Sequence, residues 1–400
     1  MLAGKVDVTV VLIVVAKTIA TFAILMVAVL FMVWFERKII ADMQNRIGPN
    51  RAGPWGLLQT LADGIKLFFK EDLLPERADR RVFRLAPYLS AVPAFLSFAI
   101  VPIGGTVKVF GHVTQLQLAD PPIGILFLLA MSSVAVYGVM LAGWASGSKY
   151  PLLGAVRASA QMISYEAALG LAVVSVVMLT GSLSTADIVA KQQVGLLFNV
   201  IPTGWNIIRL GVVPFVIFMI AATAELNRPP FDLVEAEQEL VGGFHTEYSS
   251  IRFALFFLAE FMNTVTMSAI IVTLFLGGPA IPWRIPVVGH LPLLGPVSPI
   301  WFLVKIFAFL FTYVWFRATL PRLRYDQLMD LGWKVLIPMS LGWLLVLATI
   351  QVAPPDARSR VIYVAVAFGA LILGAVLLSR ALVLGRATTE TADDDDEVLV

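Results

Sequence analysis

The feature that most constrains this chain is a series of apolar runs, each about 18 residues or longer, which is the length an α-helix needs to cross a bilayer. Nine such runs stand at about 8–35, 87–106, 121–143, 163–180, 207–224, 253–276, 299–318, 334–352 and 361–384. Only 14% of the 400 residues are charged. These runs predict an all-α integral membrane protein of about nine transmembrane helices rather than soluble domains. No cleavable signal sequence is expected, because the first run is too long for an h-region. At 1.5 Å per residue it reaches about 42 Å, so it must tilt or protrude.

Basic residues give an orientation. The loop after run 1 carries ten Lys and Arg, against five in all the loops after even-numbered runs together. The positive-inside rule then places the N-terminus outside, the odd loops in the cytoplasm and the C-terminus in the cytoplasm. Every motif-like loop falls on that one side.

The first cytoplasmic segment runs from Glu36 to Asp72. Pro54 is expected to open an amphipathic helix, with Trp55, Leu58, Leu61, Ile65, Phe68 and Phe69 along one stripe. Such a helix suits the bilayer surface or a partner's groove. The second, Ser148–Glu166, reads as a loop that ends a few residues inside run 4. The fourth, Arg317–Pro338, sets Arg317, Arg322, Arg324 and Asp326 beside Tyr325 and Trp333, a composition that also grips anionic lipid. The outer loops read as connectors. The tail around Asp393–Glu397 reads as a solvated, disordered end.

The third segment, Glu225–Glu260, departs furthest from an apolar protein. It holds seven acids (Glu225, Asp232, Glu235, Glu237, Glu239, Glu247, Glu260) and two bases, Arg228 and Arg252. Pro229-Pro230 and Gly242-Gly243 bracket an expected short helix over 231–241. On it Asp232, Glu235 and Glu239 would share a face. Like charges at that spacing cost about 0.2–0.5 kcal/mol per pair, so helix stability does not explain them. A solvated acidic loop is the ordinary reading of a charge run. Against it, the acids alternate with Phe231, Leu233, Val234, Leu240 and Phe244 and continue into apolar runs at both ends. Sheltered carboxyl groups this close together favour protonation near neutral pH, which a proton relay requires. Glu166 and Glu260 lie inside predicted membrane runs, where an ionisable residue points to function or a partner. Lys17, Arg209 and Lys305 do too, and pairing with acids or reaching an interface would account for the lysines.

The chain has no cysteine, so it supplies no thiolate ligand for an iron–sulfur cluster or metal, and no disulfide. Its three histidines, His112, His245 and His290, are not paired at helical spacing, which argues against a bis-histidine haem.

Four motifs now carry a resemblance: ERK with QNRIGPNRAGPWGLLQTLADGIKLFFKE, SKY-x-LLGAVRASAQMISYE, AELNRPPFDLVEAEQELVGGFHTEYSSIRFALFFLAE, and RATLPRLRYDQLM. Together, over about residues 10–352, they resemble the quinone-chamber membrane subunits of respiratory complex I, the proton-pumping NADH:quinone oxidoreductase. The resemblance implies an eight-helix quinone-chamber core over 1–352, a linker with an extra C-terminal helix over 353–384, and an acidic cytoplasmic tail over 385–400.

It further implies quinone as substrate, with FMN and iron–sulfur clusters in partner subunits. Those partners would be a peripheral arm with the terminal cluster, small membrane subunits and antiporter-like subunits, in a bacterial inner membrane, with no nucleic acid. Arg37, Arg46, Asp63, Lys66, Arg228, Arg317, Arg322, Arg324 and Tyr325 would shape the quinone chamber. Glu36, Glu166, Glu225, Asp232, Glu235, Glu237, Glu239, Glu247 and Glu260 would form the proton path.

Leu226, Val234, Pro151 and Gln238 depart from the family pattern without removing an acid. Hydrogenase-type membrane subunits share parts of it and are the near alternative. An ion-coupled transporter is a second one, weakened by the absence of an internal repeat. A third is an inert anchor, in which neutralising the acids changes only affinity.

Overall fold

The computed structural model describes residues 8–109, 111–193, 204–233, 240–280, 297–354, 362–374, 376–377 and 380–381. The chain forms two compact units, one ending at Ile337 and the other beginning at Pro338. Among the described residues, six helices are long and apolar enough to cross a membrane. The protein is therefore a multi-pass, predominantly α-helical membrane protein.

Helix α1 (Val8–Met43) runs past its apolar run and carries Glu36, Arg37 and Lys38 on helical backbone. Its 36 residues reach about 54 Å. Pro54 opens only a 3₁₀ turn (Pro54–Gly56), with Trp55 at φ 53°. The amphipathic helix proper is α2 (Gln59–Phe69), which buries none of its residues and exposes Leu61, Ile65, Phe68 and Phe69, with Leu58 exposed at its N-cap. The expected single helix from Pro54 is thus corrected: Gly53 at φ 73° and Trp55 break the backbone ahead of it.

The second run is also shifted. Helix α3 (Arg80–Phe98) starts earlier, capped by Asp79, whose carboxylate accepts from the amides of Arg81 and Val82. It ends before a β-hairpin, β1 (Thr106–Val109) antiparallel to β2 (His112–Gln115). The all-α class holds, and this small hairpin corrects only the reading of the loop as a plain connector. Gly111 turns it at φ 83°.

Helix α4 (Gly124–Ala145) is followed closely by α5 (Lys149–Thr180). The expected cytoplasmic loop from Ser148 to Glu166 is therefore helix. Gly154, Ala155, Ala158, Ser159, Gln161, Met162, Ser164 and Tyr165 are buried, while Leu152, Leu153, Val156 and Ile163 are exposed. Small residues permit this packing: a Cβ on Gly143 would fall 2.3 Å from the Ala155 Cβ.

The short helix α6 (Thr185–Lys191) comes next. The fifth run is broken at Gly211, φ 81°, into α7 (Asn206–Arg209) and α8 (Val212–Glu225). Fourteen residues in α8 span about 21 Å, less than the ~30 Å hydrocarbon core. Helix α9 (Ser250–Phe275) is the most enclosed, and α10 (Pro299–Thr319) packs against it and α1. A short α11 (Tyr325–Asp330) leads into a π-helical turn over Leu331–Leu336.

In the second unit, helix α12 (Ile337–Val352) and helix α13 (Ile362–Gly374) meet at Trp343 and Phe368, whose rings lie 5.9 Å apart edge-on. His290 and the acidic tail Asp393–Glu397 lie outside the described residues.

The main apolar core joins α3, α4 and α5 to the turn before α9. Phe83 of α3 stacks on Tyr248 at 4.0 Å, and the Tyr248 hydroxyl donates to the Phe83 carbonyl at 3.1 Å. This core anchors the end of the acid-rich segment.

Candidate functional site

Two cavities lie on either side of a buried ion chain. The outer one has a volume of about 720 Å³ and is walled by the polar end of α1, the segment after it, α9 and the end of α10. Glu36, Arg37, Arg46 and Arg317 line it, together with Phe257 and Phe261. Local geometry sets these groups. Arg46 N–H donates to the Ala41 carbonyl at 2.9 Å, folding the segment back on the helix end. The Arg46 Nε then donates to Gln44 Oε1 at 2.8 Å. Arg37 donates to Asp63 at 2.6 Å and so ties α1 to α2.

Glu36 is 3% exposed. Arg317 donates to its Oε1, and Arg228 donates to its Oε2 at 2.7 Å. Arg228, also 3% exposed, reaches Glu260 Oε1 through its Nε at 3.2 Å. Its guanidinium carbon lies 4.5 Å from the centre of the Phe261 ring, within cation–π range. The order Arg317–Glu36–Arg228–Glu260 draws on α10, α1, the Pro-Pro loop and α9. Two acids and two bases make the chain neutral, which offsets the large cost of burying each charge.

Gln161 fixes the loop that presents Arg228. Its side-chain amide donates to the Ala224 carbonyl at 2.8 Å and to the Phe231 carbonyl at 2.9 Å. Pro230 in turn accepts from the Leu323 amide at 3.0 Å.

The inner cavity is narrow, about 70 Å³ for water, which is room for a few molecules. Glu225 and Glu260 both line it, with Asn227, Asn263, His245 and Phe257. Phe257 therefore borders both cavities, and the Glu36–Arg228–Glu260 link runs from one to the other. A further pocket of about 20 Å³, lined by Ser97, Ser132, Glu225, Asn263 and Thr266, extends from Glu225 into the helices.

Glu225 ends α8 and accepts a hydrogen bond from Ser132 of α4. Its Oε2 is buried and accepts none from a described group. The next residue, Ser133, donates to Glu166 of α5 at 2.5 Å. Two adjacent hydroxyls on one helix thus hold carboxylates from two others. Water bound in the cavity would connect Glu225 to Glu260 by exchangeable hydrogen bonds.

Asp232 is 3% exposed and accepts from Arg322 at 3.1 Å, so this acid is not a solvated loop residue. It is not helical either. Phe231–Leu233 form a bend, which corrects a helix start at Phe231. The remainder of that expected helix, with Val234, Glu235, Glu237 and Glu239, lies outside the described residues. Gly243 does take left-handed geometry, φ 61°, as the Gly-Gly pair suggests.

The other expected site residues scatter. Arg324 pairs with Asp326 at 3.2 Å on the surface. The Tyr325 ring lies under Arg157, 5.7 Å from its guanidinium carbon. Lys66 is exposed on α2, and Glu247 is half-buried and borders neither cavity. Lys17 meets the Thr114 hydroxyl and the Gln115 carbonyl, and Lys305 meets backbone, rather than acids. Lys305 donates to the carbonyls of Leu276, Gly278 and Ala280 and so caps the end of α9.

Sequence reasoning missed Ser132, Ser133, Gln161, Asn263 and the role of His245. The Ser-Ser pair and Gln161 are polar residues in apolar surroundings, and that was their one available signal. His245 stands between Phe244 and Phe253, edge-on to each at 4.9 and 5.4 Å. Burial pushes its pKa down to about 4, against the opposing pull of Asp232. A base whose folded pKa lies below its ordinary 6.5 stabilises the fold fully above 6.5 and loses that contribution as pH falls toward about 4. The loss is worth up to about 3 kcal/mol. Acidification through this window should therefore inactivate the wild type at a higher pH than His245→Gln, measured as residual activity after incubation at each pH.

A family model described as NADH dehydrogenase matches residues 16–348. Three similar proteins are each described as an NADH-quinone oxidoreductase subunit. The protein from Frankia casuarinae is 54% identical over 364 residues, covering 90% of this chain and 77% of its own length. That from Frankia alni is 54% identical over 346 residues, covering 86% and 74%. That from Streptomyces avermitilis is 52% identical over 341 residues, covering 84% and 73%.

Proposed function

The chain belongs to the NADH dehydrogenase family, and on that premise we propose that it is the quinone-chamber membrane subunit of a proton-pumping NADH:quinone oxidoreductase. It acts as a subunit of an enzyme. FMN and iron–sulfur clusters reside in its partners, and quinone is a substrate. The observation that carries the reading is the pair of cavities joined by the Glu36–Arg228–Glu260 chain. The outer cavity, with Arg37, Arg46 and Arg317 on its wall, takes the quinone head. Asp63 holds Arg37, while Lys66, Arg322, Arg324 and Tyr325 face the peripheral arm around it.

Reduction of quinone to quinol takes up two electrons and two protons. The negative charge that develops draws on Arg317 and Arg228, and the hold of both on Glu36 loosens. Glu36 and Glu260 then change their affinity for protons together, because one guanidinium serves both. Water in the inner cavity passes the proton to Glu225, and Ser132 and Ser133 set Glu225 and Glu166 for onward transfer. Asp232, Glu235, Glu237, Glu239 and Glu247 complete the acid path on the cytoplasmic side.

The same reading assigns nine membrane passes, eight in a core over 1–352 and one in 353–384, followed by a cytoplasmic tail over 385–400. It places the chain in the bacterial inner membrane with its N-terminus outside. Partners are the peripheral arm, the small membrane subunits and the antiporter-like subunits.

Arg46→Met tests the chamber assignment. It should raise the quinone KM about tenfold, the loss of one charge-assisted hydrogen bond, and leave NADH oxidation by an artificial acceptor unchanged. An unchanged quinone KM removes Arg46 from the chamber.

A further inference from the structure

A third cavity lies at the other end of α1. Its volume is about 660 Å³, and it is walled by α1, α3 and α4 and by the strand β2 and the segment that follows it. Val10, Val14, Leu96 and Phe127 give it an apolar side, while Lys17 and Asp120 border it. Nineteen helical residues separate Lys17 from Glu36, about 28 Å along the axis and close to the ~30 Å hydrocarbon thickness. Lys17 thus lies toward the opposite membrane face from Glu36.

The two charges each rest on neutral groups. The Lys17 ammonium donates to Thr114 Oγ1 at 3.1 Å and to the Gln115 carbonyl at 2.9 Å, which uses two of its three N–H groups. Asp120 Oδ1 accepts from the Ser184 hydroxyl at 2.8 Å, and its second oxygen remains for another donor. One cation and one anion border the same cavity beside an apolar wall. This pattern complements a ligand that carries both charges on an apolar body.

We propose that the cavity binds one zwitterionic aminophospholipid of the ethanolamine type. Its phosphate rests on Lys17, its ammonium on Asp120, and one acyl chain along Leu96 and Phe127. A purely anionic headgroup would face Asp120 without a compensating charge. A choline headgroup has no N–H to donate to that carboxylate.

The test uses the whole enzyme in nanodiscs that contain photoreactive phosphatidylethanolamine, phosphatidylglycerol or phosphatidylcholine, with labelled peptides identified by mass spectrometry. The wild type should label peptides bearing Leu96 and Phe127 about tenfold more strongly with the ethanolamine lipid than with either other. Lys17→Met should abolish this labelling, and Lys17→Arg should keep it. Asp120→Asn should reverse the preference toward the glycerol lipid. Equal labelling by all three lipids in the wild type, or unchanged ethanolamine labelling in Lys17→Met, overturns the proposal.

Discussion

Arg228→Met should sharply reduce the amount of assembled enzyme, and whatever assembles should have little quinone reductase activity. Removing this guanidinium leaves Glu36 with Arg317 alone and Glu260 without its arginine, both in a largely buried setting. Breaking a buried pair from one side costs about 3–5 kcal/mol, a large fraction of a domain's stability. Arg228→Lys keeps the charge, but a single ammonium lacks the planar fork that reaches both acids, so it should fall between. The double variant Arg228→Met with Glu260→Gln should recover part of the assembly, because Glu36 keeps Arg317 and no carboxylate is then stranded. Native gels of solubilised membranes measure assembly directly. Recovery that fails to exceed the single variant would mean that Arg228 stabilises through packing on Phe261 alone.

Glu225→Gln should behave in the opposite way. The amide keeps the volume of the carboxylate and can still accept from Ser132, so assembly should remain near wild type. What it loses is the proton. A positioned proton donor or acceptor contributes about 10²–10⁴-fold to a transfer step, so NADH-driven proton translocation should fall by at least about tenfold. The measurement is pumping in sealed vesicles, normalised to assembled enzyme.

Much of the fold was legible because bilayer thickness imposes a length on each apolar run. The errors have particular causes. The end of α1 was placed too early because Glu36, Arg37 and Lys38 break the hydropathy. The helix continues because Glu36 and Arg37 find arginine and aspartate partners far along the chain. Lys149–Glu166 read as a loop for the same reason. It is helical because its small residues and Gln161 pack inward while apolar side chains such as Leu152, Leu153 and Val156 face outward, and Glu166 is held by Ser133. Hydropathy averages over a helix turn and cannot see this sidedness.

The site was legible only as a set of residue types. Resemblance grouped Glu36, Arg228, Glu260 and Arg317, and the structure brings these four together. Their order in the chain could not be read from the sequence, since Glu36 and Arg317 are 281 residues apart. Nor could the sequence show that Phe257 stands between two cavities, or that Ser132 and Ser133 serve different helices. The hairpin over 106–115 was missed because membrane-length runs dominate the pattern around it.

The account depends on protons moving at buried carboxyl groups when quinone is reduced in the outer cavity. Infrared difference spectra of the enzyme, oxidised against quinol-bound, report such groups through their protonated carbonyl band. The account predicts a change in that band in the wild type, reduced in Glu225→Gln and in Glu260→Gln. Identical difference spectra for the wild type and both variants would contradict it.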